Sequence, residues 1–283
     1  MRALISVLVL LLAFAAPAAA QESGCGTDIW AEPEKKPKPK ADGPREVFPK
    51  WVVDLAEPLA EPGGRVIAQL KSRKGYLARN AEAKAEVRAH LRPLDILVVR
   101  SRHRASSRLI PGYLGHSALY LGTERELKAA GVWNDPNLIP HQQKVRDGAV
   151  MIEADHKGVH LSRYDVVLDT DAVAIFRPSL TKAARAKSLR AFFGHIGTKY
   201  DFVFDSDDDS RLFCAELIEH AMPQVRIPRR TMYGRQVLLP VDIANAGLSG
   251  RASLSFVYYM RATKDGAAAA GRRALAEDIA DGW

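Results

Sequence analysis

Apolar residues fall along this chain in two rhythms. Short runs bounded by turn-forming residues occupy Asp95 to Arg100 (with Ile96, Leu97, Val98 and Val99), His116 to Leu121, Ala149 to Ala154, Ala172 to Phe176 and, near the end, Leu254 to Met260. Runs of that length predict strands. Lys74 to Leu91, Ser179 to Ile196 and Ser210 to Met222 instead space their apolar residues as helices do, and Pro93 stands just beyond the first as a stop signal. A helix, a series of strands, two helices and a closing strand predict an α+β domain with a mainly antiparallel sheet packed against helices.

The two ends follow different patterns. Residues 1–20 begin with Arg2, continue through a mostly apolar run from Ala3 to Ala16 and reach small residues at Ala18, Ala19 and Ala20. That order predicts a secretory signal peptide cleaved before Gln21, and a mature protein outside the cytoplasm, in a bacterial periplasm. Glu22 stands where a lipoprotein signal carries an aliphatic residue, so acylation of Cys25 is not expected. Residues 21–50, with Pro and Lys alternating up to Lys40, read as an extended linker. A folded domain is expected over 51–262, with its core at about 90–245, and a tail over 263–283 with a short surface helix from Gly266.

Composition narrows the function classes. With 47% apolar and 26% charged residues in 283, a disordered chain is excluded for most of the length. The net charge of +8 favours anionic surroundings, but the basic residues are scattered and the chain is expected to be exported, so nucleic acid is not an expected partner. No cofactor fingerprint occurs, and the two metal-like patterns fail on detail. His156 and His160 have zinc-helix spacing, but Gly158 lies between them, and they read as surface-loop histidines. Asp205 to Asp209 with Glu216 mimic a calcium loop, but Ser210 stands where the loop needs glycine, so they read as an acidic turn.

Three residues carry candidate chemistry. Cys214 follows Asp209 and Ser210, either of which is a natural N-cap, and so falls in the first turn of a helix, where unpaired amides favour a thiolate. His116 opens the strand Gly115-His-Ser-Ala-Leu-Tyr-Leu-Gly122 and shares a face with Ala118 and Tyr120. Glu153 is a carboxylate within the apolar strand Val150-Met-Ile-Glu-Ala154. If it points inward it needs a partner, and an imidazole nitrogen would serve; alternation equally allows it to face solvent.

The runs Pro93-Leu-Asp-Ile-Leu-Val-Val-Arg-Ser101, Gly115 to Gly122, Ile152-Glu-Ala154, Lys199-Tyr-Asp-Phe202, Phe213-Cys-Ala-Glu-Leu-Ile218 and Leu239-Pro-Val-Asp-Ile243 together resemble the circularly permuted NlpC/P60 cysteine hydrolases of the YiiX/YebB type, which have a papain-like fold. The resemblance implies Cys214 as nucleophile, His116 as general base and acid, Glu153 as the residue orienting the imidazole, and Tyr200 near the substrate or oxyanion. It implies no cofactor. Leu94 replaces the glycine usual before the first-strand aspartate, and Ala215 replaces the serine usual after the cysteine.

The expected function is cleavage of an amide or ester bond in a cell-envelope component, a peptidoglycan peptide or an acyl lipid, with peripheral membrane contact in view. Hydrolase and acyltransferase differ only in the acceptor and are not separated by these residues. Phe202, Phe204 and Phe213 are candidates for an apolar acyl subsite. The rival expectation is a non-catalytic envelope or wall-binding protein, with Cys214 in a disulfide with Cys25 or the site degenerate.

Overall fold

The computed structural model describes residues 57–282 except 205, 207 and 251. The expected signal peptide and linker, with Cys25, lie outside the described residues. Helices α1 (Ala60–Gln69) and α2 (Ala81–Ala89) precede strands β1 (Ile96–Arg100) and β2 (His116–Tyr120). Short helices α3 (Glu124–Ala129) and α4 (Gln142–Arg146) lead into the hairpin of β3 (Met151–Asp155) and β4 (Gly158–Ser162). Then come α5 (Tyr164–Val167), β5 (Ala172–Pro178), α6 (Lys182–Gly194) and the two-residue strands β6 (Lys199–Tyr200) and β7 (Arg211–Leu212), ahead of α7 (Cys214–Ala221). The ribbon β8 (Arg230–Met232) and β9 (Arg235–Val237), α8 (Pro240–Ser249), β10 (Leu254–Thr263), β11 (Gly266–Ala270) and α9 (Arg272–Asp281) complete the chain.

Seven strands form one antiparallel sheet in the order β11-β10-β5-β1-β2-β3-β4. β1 lies at its centre, and Ile96 to Val99 are all buried, which is why that run is apolar without alternation. Asp95 is fully buried at the start of the strand. Arg177 on β5 holds it through two bonds, Nε to Oδ1 at 2.8 Å and Nη2 to Oδ2 at 2.6 Å, so a charge in the core is paired and geometrically fixed. Leu94, in the place of the usual glycine, takes φ of 75° with its side chain fully buried. The left-handed turn is therefore kept without glycine, at a conformational cost of about 1–2 kcal/mol that burial of the leucine offsets.

The strands expected from the sequence form, and the helices are trimmed. The first begins at Ala81 because the Asn80 side chain caps it, accepting from the Ala83 amide at 2.9 Å. Asp209 and Ser210 do not cap the cysteine helix. Arg211–Leu212 is extended and pairs in parallel with Lys199–Tyr200, so the helix starts only at Cys214, with Phe213 at its N-cap and no side-chain cap. The tail is also more than a surface helix. Gly266–Ala270 add β11 to the sheet edge, and the following α9 buries Leu275 and Ile279.

Strand β4 escapes the apolar pattern because it is an edge strand with two half-exposed positions. Its first residue, Gly158, has φ of +91°, and a Cβ there would lie 2.4 Å from the Thr198 carbonyl oxygen. That close approach lets Val159 N–H donate to Thr198 at 2.8 Å and Gly197 N–H donate to Val159 at 2.9 Å. The stitch delivers the next residues, Lys199 and Tyr200, beside the sheet end where β2 begins.

Candidate active site

Sheet register builds the site from one end and one face. β2 pairs with β3 so that Ala118 lies opposite Glu153, and β3 pairs with β4 so that Glu153 lies opposite His160. His116, two residues before Ala118, shares the face of Glu153 and reaches it diagonally, Nε2 to Oε2 at 2.7 Å. The other carboxylate oxygen accepts from the Ser162 hydroxyl. Glu153 is buried, with 7% of its side chain exposed. It is thus the inward-facing carboxylate, satisfied on both oxygens.

Charge follows from this arrangement. Burial pushes the Glu153 carboxyl up, but the hydrogen bond and charge of His116, with help from Ser162 and His160, outweigh it and hold the carboxyl down at about 2. An ionised carboxylate only accepts, so Nε2 of His116 carries the proton and Nδ1 is left for a second partner. That partner is Cys214, the first residue of α7.

Cys214 is a free thiol with 2% of its surface exposed. Burial pushes its pKa up, yet the charge and hydrogen bond of the His116 ring, followed by the hydroxyl and backbone amide of Ser117, bring it below the ordinary thiol value. The Ser117 hydroxyl is buried and has no nitrogen or oxygen partner among the described residues. His116 answers in the opposite sense. Burial lowers its pKa, but the sulfur and Glu153 raise it to about 10. The lowered thiol and the raised imidazole pKa both favour passing the thiol proton to the ring, beside an ionised Glu153. The His116 ring keeps 24% of its side-chain surface exposed, so the trio is open to a ligand.

Tyr200 completes the group. Register places it opposite Leu212, two residues before Cys214. Burial, then the nearby sulfur and carboxylates, hold its phenol well above the usual range, so it stays a proton donor. Phe202 and Phe204 stand edge-on to it at 4.9 and 6.4 Å and are half-buried, whereas Phe213 is fully buried core. All four residues singled out from sequence are brought together here. His160 is not a loop histidine: it sits on β4, its Nδ1–H donating to the Gly158 carbonyl at 2.9 Å and its Nε2 3.8 Å from Glu153. Sequence reading also missed Ser162 and Ser117, which look like ordinary strand serines until the register is known. Glu216 is buried on α7, and among the described residues no group of three or more His, Cys, Asp or Glu could hold a metal ion.

A family model described as a permuted papain-like amidase enzyme, YaeF/YiiX, C92 family, matches residues 90–258. Those residues run from just before β1 into β10 and include every group of the site above. No curated protein and no solved structure matches the chain.

Proposed function

Because the chain belongs to the permuted papain-like amidase family, an enzyme family, we propose that it is a cysteine hydrolase of an amide or ester bond in a cell-envelope component, acting through an acyl-thioester on Cys214. The observation that carries this reading is the continuous contact Cys214–His116–Glu153, with the sulfur at a helix N-terminus and the carboxylate satisfied on both oxygens.

In the proposed reaction the Cys214 thiolate adds to the carbonyl carbon, and the electron pair of the C=O moves to oxygen. The Cys214 backbone N–H, uncapped at the start of α7, and the Tyr200 hydroxyl donate to that oxyanion. His116, as imidazolium, gives its proton to the departing nitrogen or oxygen when the C–N or C–O bond breaks. Neutral His116 then takes a proton from water, which attacks the thioester; the acid leaves and the ion pair is restored. Glu153 orients the ring and stabilises its charge throughout. An alcohol or amine in place of water would make the same site an acyltransferase.

Residues 1–20 support action outside the cytoplasm, and the half-exposed rings of Phe202 and Phe204 beside Tyr200 favour an acyl lipid over a polar peptide on the acyl side. Replacing Cys214 by Ala should abolish turnover of acyl amides or esters and labelling by an acyl-mimicking, thiol-directed inhibitor. Turnover retained by that variant would overturn the assignment. Intact-mass analysis after alkylation, with and without reductant, tests the rival disulfide to Cys25.

A further inference from the structure

A second binding feature lies at the other end of the sheet. The segments just after β2, just before β3, just after β4 and along α2 enclose an open groove of about 680 Å³. His116 starts β2 and the groove begins beyond its end; strand residues rise about 3.4 Å each, so at least about 14 Å of strand separates the two. The volume suits a small-molecule or headgroup ligand.

Five cationic side chains line it, Lys84, Arg88, Arg125, Arg146 and Arg163, against two acids, Glu124 and Asp165. The acids are already taken: Asp165 by Lys84 at 2.7 Å, and Glu124 by Arg146 at 3.0 Å. Arg88, Arg125 and Arg163 are left without an ion-pair partner among the described residues. They come from rigid supports. Arg88 lies 5.9 Å from the centre of the Tyr164 ring. Arg125 sits in the first turn of α3, which Thr123 and Glu126 lock in a capping box. The Arg163 guanidinium passes over Gly148, whose φ is +91° and whose Cβ, were there one, would be 3.9 Å from Nη2. A Cβ there would meet the guanidinium only in ordinary contact; the positive φ is what favours glycine at 148.

Three unpaired guanidinium forks, brought to one groove from α2, from the start of α3 and from the segment after β4, cannot be satisfied by a single carboxylate. A phosphoryl group, with three acceptor oxygens and more than one negative charge, matches them. We infer that this groove is a phosphate-binding exosite, which holds a phosphate-bearing ligand away from the catalytic cysteine. Its role is to concentrate the enzyme on a phosphorylated partner, since nothing in the groove contacts the reacting atoms.

The test uses the full chain at low ionic strength, with pyrophosphate in calorimetry and sedimentation with phosphatidylglycerol-containing vesicles against pure phosphatidylcholine vesicles. Saturable binding of either anionic probe is expected. It should weaken by about tenfold or more in the Arg125→Gln/Arg163→Gln double variant, the size expected for losing charge-assisted hydrogen bonds. Arg163→Lys should fall between, because charge remains and the fork is lost. Labelling at Cys214 and the melting temperature should not change. Binding of pyrophosphate alone assigns a soluble phosphate, and binding of vesicles alone a lipid headgroup; both support the site. Absence of binding to either probe, equal binding by the double variant, or equal retention on phosphatidylcholine overturns it.

Discussion

Ser162 donates its hydroxyl hydrogen to the Glu153 oxygen that His116 leaves free, so the two hairpin strands β3 and β4 between them fix the carboxylate that faces the imidazole. Removing that donor leaves a buried, charged acceptor half-satisfied. Ser162→Ala should therefore cost about 1.5–3 kcal/mol of stability, the range for hydrogen bonds to charged groups. It should also raise the Glu153 pKa from about 2. The sign is fixed by that depressed value: the stabilisation is present above the carboxyl's unfolded pKa and is lost as pH falls through the folded one. Acid unfolding of Ser162→Ala should accordingly begin at a higher pH than in the parent, as circular dichroism across an acid series would reveal.

Glu153→Gln acts on the ring more than on the fold. The carboxylate is one of the two groups that raise the His116 pKa to about 10. Without its charge the imidazolium is easier to deprotonate, so the alkaline limb of the rate profile should move down from about 10. Turnover should fall by roughly a hundredfold or more and remain measurable, because an orienting group has been lost and the nucleophile kept. An alkaline limb that stays in place would show that Glu153 does not charge the ring.

How far these groups are legible before folding depends on which contacts are local. β1 declares itself, because a central strand buried on both faces must be apolar throughout. Cys214 is visible as a helix-start cysteine, yet its cap is misplaced in sequence: the pairing of Leu212 with Tyr200, a partner twelve residues away, keeps the chain extended past Ser210. The Glu153 alternation is ambiguous until the register sets it against His160 and, diagonally, His116. Ser162 and Ser117 have no local signature at all, since their value lies in what a neighbouring strand or helix presents to them. The tail strand is hidden because Gly266 to Ala270 has little side chain to pattern; its backbone ladder to β10 alone places it.

Glu216 presents a different pH signature. It is fully buried on α7, two residues after Cys214, and among the described residues neither carboxylate oxygen has a hydrogen bond of ordinary geometry. Burial and the charge of Asp201 push its pKa up to about 8, against weaker help from the Phe213 amide and the Ser206 hydroxyl. Its folded pKa exceeds the unfolded one, so the folded state binds more protons between about 4.5 and about 8 and stability falls as pH rises through that window. Glu216→Gln removes the titration. Its melting temperature should exceed that of the parent by a few degrees at pH near 9, and the difference should shrink towards pH 4. A constant difference across the range would mean that Glu216 does not titrate in that window.

The C-terminal helix should matter to the site through the loop that leads to His116. Asp278 on α9 accepts from Tyr259 of β10 and, at 3.3 Å, from Tyr113, three residues before His116. The two phenols also bond each other at 2.7 Å, so a carboxylate and two tyrosines join the tail, the sheet and the loop before His116 in one part-buried cluster. Leu275, on the same helix, is fully buried. Leu275→Ala should cost about 2–5 kcal/mol, the range for such truncations in a core. Asp278→Ala removes the shared acceptor without opening an apolar cavity, and should cost less stability but loosen Tyr113. If the tail supports the catalytic loop, Asp278→Ala will lower kcat at a temperature where the protein is fully folded, with alkylation of Cys214 slowed in parallel. A variant less stable yet unchanged in both rates would confine the tail to a role in stability.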